Sequence, residues 1–465
     1  MAGPLFIGGT SSHAGKSWFT AAFCRLLYRR GVRVAPFKAQ NMSNNSFPCI
    51  EGGEIGRAQV MQAECCGLPA MADMNPVLLK PNSSTGSQVV VRGKVRGNIA
   101  AIDYYQHSSS LMEESLESFR RLQSQFPFVV LEGAGSVAEV NLAARDFSNL
   151  RFAEAVSAKA LLVSGIERGG VFAALIGTME LLPPEHRKLI RAFAVNGFHG
   201  DTRLFEEGVT FLEKRMGIPC LGVFPHAADI RLDEEDSVAI PPAGNVEGAE
   251  VAVIRLPRIS NFTDFKLFEK LAWVDRPIAK QFRAIFLPGT KNTIEDLLWL
   301  RKCGLDEWLL HQLRNGARIV GICGGYQMLG ERIDDPDAVE SSAGSVAGLG
   351  LLPVCTVLRT EKVTRVVEAY VGGAGPFQAY EIHMGETTAH APVQPFAQLA
   401  DRSEGVIAGR VTGTYLHGIF EQAQVVRQTL GIEVAAATGK AEMYDRLADW
   451  LVNYSNPKVL EELLQ

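Results

Sequence analysis

A glycine-rich stretch near the start of the chain, GGTSSHAGKS, contains the first residues that could do chemistry. It ends in Gly15, Lys16 and Ser17, as the phosphate-loop pattern G-x-x-x-x-G-K-[ST] requires. Thr10 holds the position of the first glycine of this pattern, and Gly9 stands one residue earlier. Backbone N–H groups of such a loop cradle anionic oxygens, the lysine reaches the β- and γ-phosphates, and the hydroxyl binds Mg²⁺. The sequence therefore predicts a site for ATP and Mg²⁺ with a lengthened loop.

Two further charged residues come at the ends of apolar segments and fit the same site. Glu132 ends FVVLE, where a carboxylate oxygen could be a second ligand for Mg²⁺. Lys38 follows VAPF, where it could offset charge on a transferring phosphoryl group or hold a substrate carboxylate. A lysine that only faces solvent is the alternative interpretation of Lys38.

A second candidate centre lies in ARIVGICGGYQMLG, where an apolar segment runs into Cys323 between glycines, the layout of a nucleophile elbow. A thiol at a helix N-terminus is typical of reactive cysteines, and a nucleophilic cysteine needs a base. His417 in GTYLHGIF is the candidate base, and His383 in YEIHMG is a second candidate with an expected structural or substrate-orienting role. Backbone N–H groups of Gly289 and Gly324 could form an oxyanion hole. A buried structural cysteine is the alternative interpretation.

The spacing of apolar segments predicts the elements that must position these residues. In the first half, short apolar segments alternate with helix-length segments, which is typical of a doubly wound parallel sheet with ligands at the carboxyl ends of its strands. The segment Ser17–Arg30 has an apolar face and a basic end, and predicts the helix after the loop. The predicted strands of this half are Leu5–Ile7, Val32–Phe37, Phe128–Leu131, Ala160–Val163, Ala192–Val195 and Cys220–Phe224.

An acidic stretch rich in proline and glycine, residues 233–250, is the predicted linker between a domain of residues 1–232 and a domain of residues 251–465. The apolar segment VAVIRL starts a second α/β unit at Val251. The sequence thus favours two α/β domains, the first with a phosphate loop and the second with a cysteine elbow. The further strands predicted for the second domain are Ala284–Leu287, Arg318–Ile322, Val366–Tyr370, Ala379–His383 and Gly413–Leu416.

Length and composition agree with this organisation. A chain of 465 residues exceeds one ordinary core, and its composition, 47% hydrophobic and 21% charged, is typical of a soluble globular protein. A formal charge of -5 gives no electrostatic case for nucleic acid, and no apolar run approaches the roughly 18 to 20 residues that span a bilayer. The early glycine loop leaves no room for a signal peptide, and the eight cysteines form no C-x-x-C pair. We therefore expect a cytoplasmic protein with reduced thiols.

Both halves resemble known families. The longer loop G-T-x-x-x-x-G-K-[ST], with E-G-A-G after a later strand, resembles dethiobiotin synthetase and its relatives, which activate a carboxylate with ATP. That resemblance implies that Asn196, in VNGFHGD, reads the adenine base. The second half resembles class I glutamine amidotransferases, which hydrolyse glutamine through a cysteine thioester. Their His-Pro-Glu sequence is replaced here by His417, Gly418 and Ile419, so no acidic residue stands at that spacing to orient the histidine.

Segments along nearly the whole chain, among them PFKAQNMSNNS, GGEIGRAQ, DMNPVLLKP and LPRISNFTDF, resemble the cobyric acid synthase family. The resemblance implies amidation of the b, d, e and g carboxylates of adenosylcobyrinic acid a,c-diamide, with ATP, Mg²⁺ and glutamine. It also places Glu54, Lys80, Gln40 and Asn41 on the substrate side. Because one site would release ammonia and the other would consume it, we expect a shielded path for ammonia between the domains. The Q-N-M segment that begins at Gln40 differs from the G-P-D-Y-I-D usual in cobyrinic acid a,c-diamide synthase, and so favours the b, d, e and g positions.

The chain departs from the family pattern in two segments and leaves two other functions open. DIDRGG appears as GIERGG, with Gly165 and Glu167 in place of aspartates, and RDIVNM appears as RDFSNL at residues 145–150. If these segments line the Mg²⁺ or corrin site, they affect rate or regiochemistry. One alternative is amidation of the a and c positions or of another polycarboxylate; the other is a P-loop switch ATPase with an inactive glutaminase-like binding domain. A homo-oligomer is compatible with the sequence.

Overall fold

A computed structural model describes residues 3–82, 86–100, 108–230, 232, 243–244, 246–435 and 439–465. Most of the predicted linker, residues 233–242 and 245, lies outside the described residues. Among the described residues, no helix is both long enough and apolar enough to cross a membrane.

The first half is built on a six-stranded sheet in which all neighbouring strands are parallel. Strands of a parallel sheet are covered on both faces, which explains why these segments are apolar along nearly their whole length. The predicted α/β fold is confirmed, and each strand predicted for this half overlaps an observed one. In spatial order the strands are Cys220–Pro225, Ile190–Phe198, Lys159–Gly165, Leu5–Gly9, Phe128–Glu132 and Val34–Phe37.

The helix after the glycine-rich loop spans Lys16–Arg29, one residue earlier at each end than predicted. Its apolar face packs on the C-terminal part of the chain. The rings of Phe19 and Trp450 lie 5.3 Å apart, and Arg25 forms an ion pair with Asp445 at 2.8 Å.

The two C-terminal helices, Lys440–Tyr454 and Pro457–Leu464, therefore belong to the core of the first half. Their buried leucines, Leu447, Leu451 and Leu460 among them, share a core with the first sheet. The predicted second domain, residues 251–465, placed these helices with the other half. A single domain boundary in the sequence does not describe this packing, because the chain returns to the first half after it has completed the second sheet.

An insertion follows directly on the carboxyl end of strand Val34–Phe37, the edge where ligands bind in parallel sheets. It contains a four-stranded sheet, a two-stranded ribbon and the helix Arg57–Cys65. The sheet is formed by Gln40–Met42, Val77–Pro81, Gly86–Val91 and Lys94–Ala100, and the ribbon by Ser46–Pro48 and Glu54–Gly56.

The second half contains a further sheet with five parallel strands and one antiparallel edge strand. The predicted strands Val366–Tyr370 and Ala379–His383 are parts of one long antiparallel hairpin, Val354–Val371 with Ala374–Ala389, which stands outside that sheet. The sheet strands are, in order, Leu271–Val274, Val251–Ile254, Ala284–Leu287, Arg318–Ile322, Val411–Thr414 and Val406–Ala408. The hairpin sheet also contains Arg332–Asp334, Ser345–Ala347, Ala397–Gln398 and Ser403–Glu404.

Helices cover both parallel sheets. In the described part of the chain, the remaining α-helices are Ser108–Gln125, Leu150–Ala155, Val171–Leu181, Pro184–Arg187, Glu206–Met216, Thr293–Lys302, Leu305–Arg314, Gly324–Leu329 and Ala423–Leu430. Short 3-10 turns span Ala72–Met74, Thr202–Phe205, Thr263–Phe265 and Ile419–Glu421.

Candidate functional site

The glycine-rich loop joins the strand Leu5–Gly9 to the helix that begins at Lys16. Gly15, the residue before the helix, has a φ of +107°, and a Cβ there would lie 2.2 Å from the Asn196 side-chain nitrogen. Only glycine fits this position, because other residues rarely adopt such a φ and the space is taken. Asn196 Nδ2 also donates a hydrogen bond to Ala14 O at 3.1 Å. Asn196 thus braces the loop, and its predicted contact with adenine stays a prediction.

The lengthened part of the loop is tied to the neighbouring strand of the sheet. The hydroxyls of Thr10 and Ser164 are hydrogen-bonded at 2.8 Å. The Thr10 backbone N–H also donates to Val163 O at 3.0 Å. The extra residue is therefore held in place, as expected for a functional variant of the loop.

Lys16 turns back over the loop. Its Nζ donates to Ser11 O at 2.9 Å and to Gly135 O at 2.8 Å, which brings it between two loops. A Cβ on Gly9 would come within 3.0 Å of the lysine side chain, so glycine at this position leaves room for it. The ammonium group lies where a phosphate loop presents its lysine to anionic oxygens.

Glu132 is the centre of the charged groups at this end of the sheet. Its Oε1 accepts hydrogen bonds from Ser17 Oγ and from Lys38 Nζ, each at 2.9 Å, and its Oε2 accepts a hydrogen bond from Gln62 Nε2. Burial opposes ionisation, but the Lys38 ammonium and the Gln62 amide lower the pKa of Glu132, so it is a carboxylate. The structure thus brings together Ser17, Glu132 and Lys38, as predicted. Gln62 was not predicted, because a glutamine within a helix carries no recognisable motif.

The oxygens at this position fit a magnesium site. Mg²⁺ prefers carboxylate and hydroxyl oxygens and retains several waters. Ser17 Oγ and Glu132 Oε1 lie 2.9 Å apart beside the loop, so one cation could contact both.

A cavity of about 1540 Å³, here called the nucleotide cavity, extends from the loop to the second half. Lys16, Lys38 and Glu132 line it on one side, and Phe262 and Trp273 line it on the other. Small-molecule sites are usually roughly 300–1,000 Å³ in volume, so this cavity has room for more than one ligand.

Both segments that depart from the family pattern lie in this cavity. Gly165, Glu167 and Asp146 line it, together with the predicted substrate-side residues Gln40 and Asn41. Asp146 also has a supporting role, since its carboxylate accepts a hydrogen bond at 2.8 Å from the amide of the asparagine at position 149, which holds the loop after Glu132.

Cys323 stands at the turn between strand Arg318–Ile322 and helix Gly324–Leu329. Its φ of 52° is strained for a residue with a side chain, and such strain is typical of functional turns. A Cβ on Gly325 would lie 2.0 Å from Leu287 O, so the turn is possible only with glycine there. Cys323 Sγ points at Ile382 O, 3.4 Å away, and the residue is 8% exposed. These features are those of a nucleophile elbow.

His417 lies buried beside a carboxylate that the sequence did not reveal. Its Nδ1 is 3.8 Å from Asp264 Oδ2, and both residues are at most 1% exposed. Burial favours the neutral imidazole, but Asp264 and the Cys323 side chain raise the pKa of His417 to about 9. Asp264 Oδ1 is held by the backbone N–H of Phe420 at 3.0 Å. The histidine therefore has a buried acidic neighbour, which comes from the segment LPRISNFTDF instead of from the residues after His417.

The other predicted residues of this centre surround the cysteine. A Cβ on Gly289 would lie 3.0 Å from His417 Cε1, and a Cβ on Gly324 would lie 3.2 Å from the backbone nitrogen of the threonine that follows Gly289. Both glycines thus flank the reacting pair, and their role as an oxyanion hole stays a prediction. His383 stacks on Tyr415 at 3.8 Å and its Nδ1 is 2.8 Å from a backbone carbonyl, which agrees with a structural role.

A small pocket of about 40 Å³, here called the cysteine pocket, contains Cys323 and His383 and also Lys80 from the first half. Lys80 Nζ donates a hydrogen bond to Glu54 Oε2 at 2.8 Å, and both side chains are buried. Burial lowers the pKa of Lys80 to about 7, although Glu54 opposes this. Lys80 lines the cysteine pocket, and Glu54 is buried beside it, paired with Lys80 from the first half and Lys362 from the second. Neither residue lines the nucleotide cavity, and their place on the substrate side stays a prediction. The alternation of the strand that carries Lys80 directs it away from the nucleotide cavity.

Comparisons with known proteins agree with both centres. Residues 5–239 match the family model of the CobQ/CobB/MinD/ParA nucleotide binding domain, and residues 250–425 match that of the CobB/CobQ-like glutamine amidotransferase domain. The second match ends before the C-terminal helices that pack on the first half.

Curated relatives match over nearly their whole length. A cobyric acid synthase from Syntrophobacter fumaroxidans is 44% identical over 99% of this chain and 98% of its own. One from Parabacteroides distasonis is 44% identical over 96% of this chain and 95% of its own. One from Chlorobium phaeobacteroides is 44% identical over 100% of this chain and 97% of its own.

Proposed function

This chain belongs to the cobyric acid synthase family, and we propose that it amidates the b, d, e and g side-chain carboxylates of adenosylcobyrinic acid a,c-diamide. ATP activates each carboxylate and glutamine supplies the nitrogen. The observation that carries this proposal is the presence, in one chain, of a phosphate loop in a large cavity and a Cys–His–Asp centre behind it.

The first reaction takes place in the nucleotide cavity. A substrate carboxylate oxygen attacks the γ-phosphorus of ATP, ADP leaves, and an acyl phosphate forms. Lys16 offsets the charge on the phosphates, and Lys38 offsets charge on the transferring group or holds the attacking carboxylate. Ser17 and Glu132 would hold Mg²⁺, which when bound neutralises phosphate charge.

The second reaction takes place at Cys323. Its sulfur attacks the side-chain amide carbon of glutamine, ammonia leaves with a proton supplied by His417, and water then hydrolyses the thioester to glutamate. Asp264 keeps the imidazolium charged and oriented, in the role of the third member of a catalytic triad. The backbone N–H groups of Gly289 and Gly324 stabilise the oxyanion. Ammonia then attacks the acyl phosphate, and phosphate leaves as the carboxamide forms.

The buried Cys323–His417–Asp264 arrangement does not favour a switch ATPase with an inactive binding domain, because such a domain has no need of a strained nucleophile and a charged histidine beside it. The choice of corrin carboxylate is open to a direct test. The protein is incubated with adenosylcobyrinic acid a,c-diamide, Mg-ATP and glutamine, and the corrinoid is followed by mass spectrometry.

Each amidation exchanges OH for NH₂, so the mass falls stepwise and the number of steps counts the carboxylates converted. We expect steps down to the product amidated at b, d, e and g. An unchanged corrinoid, with glutamine and ATP still consumed when another polycarboxylate is supplied, would contradict the proposed substrate and leave the chemistry standing.

A further inference from the structure

The nucleotide cavity and the cysteine pocket share walls that are one chain segment thick. In the strand Val77–Pro81, Leu79 and Pro81 line the nucleotide cavity, and Lys80 between them lines the cysteine pocket. Successive side chains of a strand point to opposite faces, so this single strand separates the two spaces.

The second half contributes a matching segment to the same partition. Ser260 and Asn261 line the cysteine pocket, and the next residue, Phe262, lines the nucleotide cavity. Asn261 Oδ1 accepts a hydrogen bond from Ser46 N at 2.9 Å, and Asn261 N donates one to Asn45 Oδ1 at 2.8 Å. These reciprocal bonds lock the two halves together at the wall.

A buried charged cluster lies in this partition. Glu54 Oε2 accepts from Lys80 Nζ at 2.8 Å and from Ser46 Oγ at 2.6 Å, and Glu54 Oε1 pairs with Lys362 Nζ. Lys362 comes from the long hairpin of the second half, 308 residues away from Glu54 in the sequence. Both lysines line the cysteine pocket.

We propose that the cluster Lys80–Glu54–Lys362 is the gate through which ammonia passes from the cysteine pocket to the nucleotide cavity. The inference rests on the proposed function, because it assigns the route between its two reactions. The cluster consists of positioning residues, since none of them is required to touch the reacting atoms of either substrate.

The charges of the cluster suit this task. Because burial lowers the pKa of Lys80 to about 7, the two lysines at least balance the charge of Glu54 near neutral pH. The cluster therefore has no excess negative charge to hold ammonium, and neutral ammonia, the form that can attack the acyl phosphate, is free to pass. A buried ion pair keeps its geometry because either charge left alone in the interior is costly. The partition therefore stays shut to water while the pairs are intact.

The same partition contacts the catalytic histidine. Phe47, next to Ser46, lies 4.7 Å ring to ring from Tyr380, and Tyr380 stacks on His417 at 5.2 Å. A movement of the ribbon that opens the gate would therefore be transmitted to the base of the glutaminase centre. This contact gives a physical link between release of ammonia and its use.

The test compares Lys362→Met with the unsubstituted protein and measures glutamate formed per corrin carboxamide formed, with glutamine as the nitrogen source. We expect a ratio close to unity for the unsubstituted protein and an increase of at least about two-fold for Lys362→Met, because losing one partner of a buried pair opens the partition. This ratio does not depend on the fraction of protein that is folded. The Lys362→Arg protein keeps the positive charge, so its ratio of glutamate to carboxamide should lie closer to that of the unsubstituted protein than the ratio of Lys362→Met does.

Arg359→Met is the matched control, since it breaks an exposed ion pair with Glu386 on the same hairpin. It should leave the ratio unchanged. A Lys362→Met protein in which glutamate and carboxamide fall together, at an unchanged ratio, would overturn the gate. Failure of the proposed function is distinguishable, because the unsubstituted protein would then convert no corrinoid with either glutamine or ammonium chloride, and the gate would fall with it.

Discussion

The nucleotide cavity and the cysteine pocket, about 1540 Å³ and about 40 Å³ in volume, serve different reactions in one chain. The first is broad and lined by both halves, and its charged groups meet at one buried carboxylate, Glu132. The second is far smaller. Cys323 lines it at a strained turn, and His417, which stacks on Tyr380, is buried beside the cysteine.

The difference follows from what each site handles. A phosphorylated nucleotide and a large polycarboxylate need space and many positive or N–H groups, and most of the catalytic effect in phosphoryl transfer comes from positioning and charge. Hydrolysis of glutamine releases ammonia as the cysteine thioester forms and then consumes one water, so it needs a fixed nucleophile–base pair in a small space. Substitutions in the nucleotide cavity should therefore lower activity through lost charge, and substitutions at the cysteine pocket through lost geometry.

The largest expected effect separates the two sites by nitrogen source. In Cys323→Ala the nucleophile is lost, and we expect glutamine-dependent amidation to fall by about a thousand-fold or more. Amidation supported by ammonium chloride should stay within about two-fold, since the nucleotide cavity is untouched. Corrinoid mass spectrometry with each nitrogen source measures both rates. Equal losses with glutamine and with ammonia would break the proposed division between the sites.

A large effect with the opposite pattern is expected for Lys16→Met. Removal of this charge should lower amidation by about 100-fold or more with either nitrogen source. Glutamate release, assayed without the corrinoid, should change little. Lys214→Met, an exposed lysine of the same half, is the control and should behave like the unsubstituted protein. If Lys16→Met lost only the glutamine-dependent reaction, the assignment of the phosphate loop would be contradicted.

A smaller effect is expected for Asp264→Asn, which keeps the size and the acceptor for Phe420 N but removes the charge that faces His417. Because the Nδ1–Oδ2 separation of 3.8 Å is longer than a hydrogen bond, the loss should be below that of a tight triad. We expect glutamine-dependent kcat to fall by roughly 10- to 100-fold, with ammonia-dependent kcat unchanged. Asp401→Asn, at an exposed position of the same half, is the control. An unaltered glutaminase rate in Asp264→Asn would show that His417 needs no orienter.

The smallest expected effect is a shift of pH dependence. Since the pKa of His417 is raised from 6.5 to about 9, the imidazolium and its stabilising contact are fully present below pH 6.5 and are lost as pH rises through about 9. Glutaminase kcat/KM should therefore fall on an alkaline limb near pH 9. In Asp264→Asn the limb should move to lower pH by about one unit, because the group that raises the pKa is gone. If the alkaline limb lies at the same pH in both proteins, a group other than His417 causes it.

The local motifs could be predicted from the sequence because each is a short segment that requires a particular backbone conformation. Gly15 needs a positive φ and a clear space, Cys323 needs a turn flanked by glycines, and the strand segments need apolar residues on both faces. These requirements act within a few residues of the sequence. The two-centre organisation and the parallel sheets of both halves followed from them.

The tertiary structure alone decided which distant residues meet. Asp264 next to His417, Gln62 next to Glu132 and Lys362 next to Glu54 have no pattern that marks them before folding. The return of the helix Lys440–Tyr454 to the first half, and the position of Lys80 on the cysteine side of its strand, are of the same kind. Burial makes these contacts strong, because a charge or an apolar face removed from water must find a partner. The path of the whole chain decides which partner each charge or apolar face contacts, and only the folded structure shows that path.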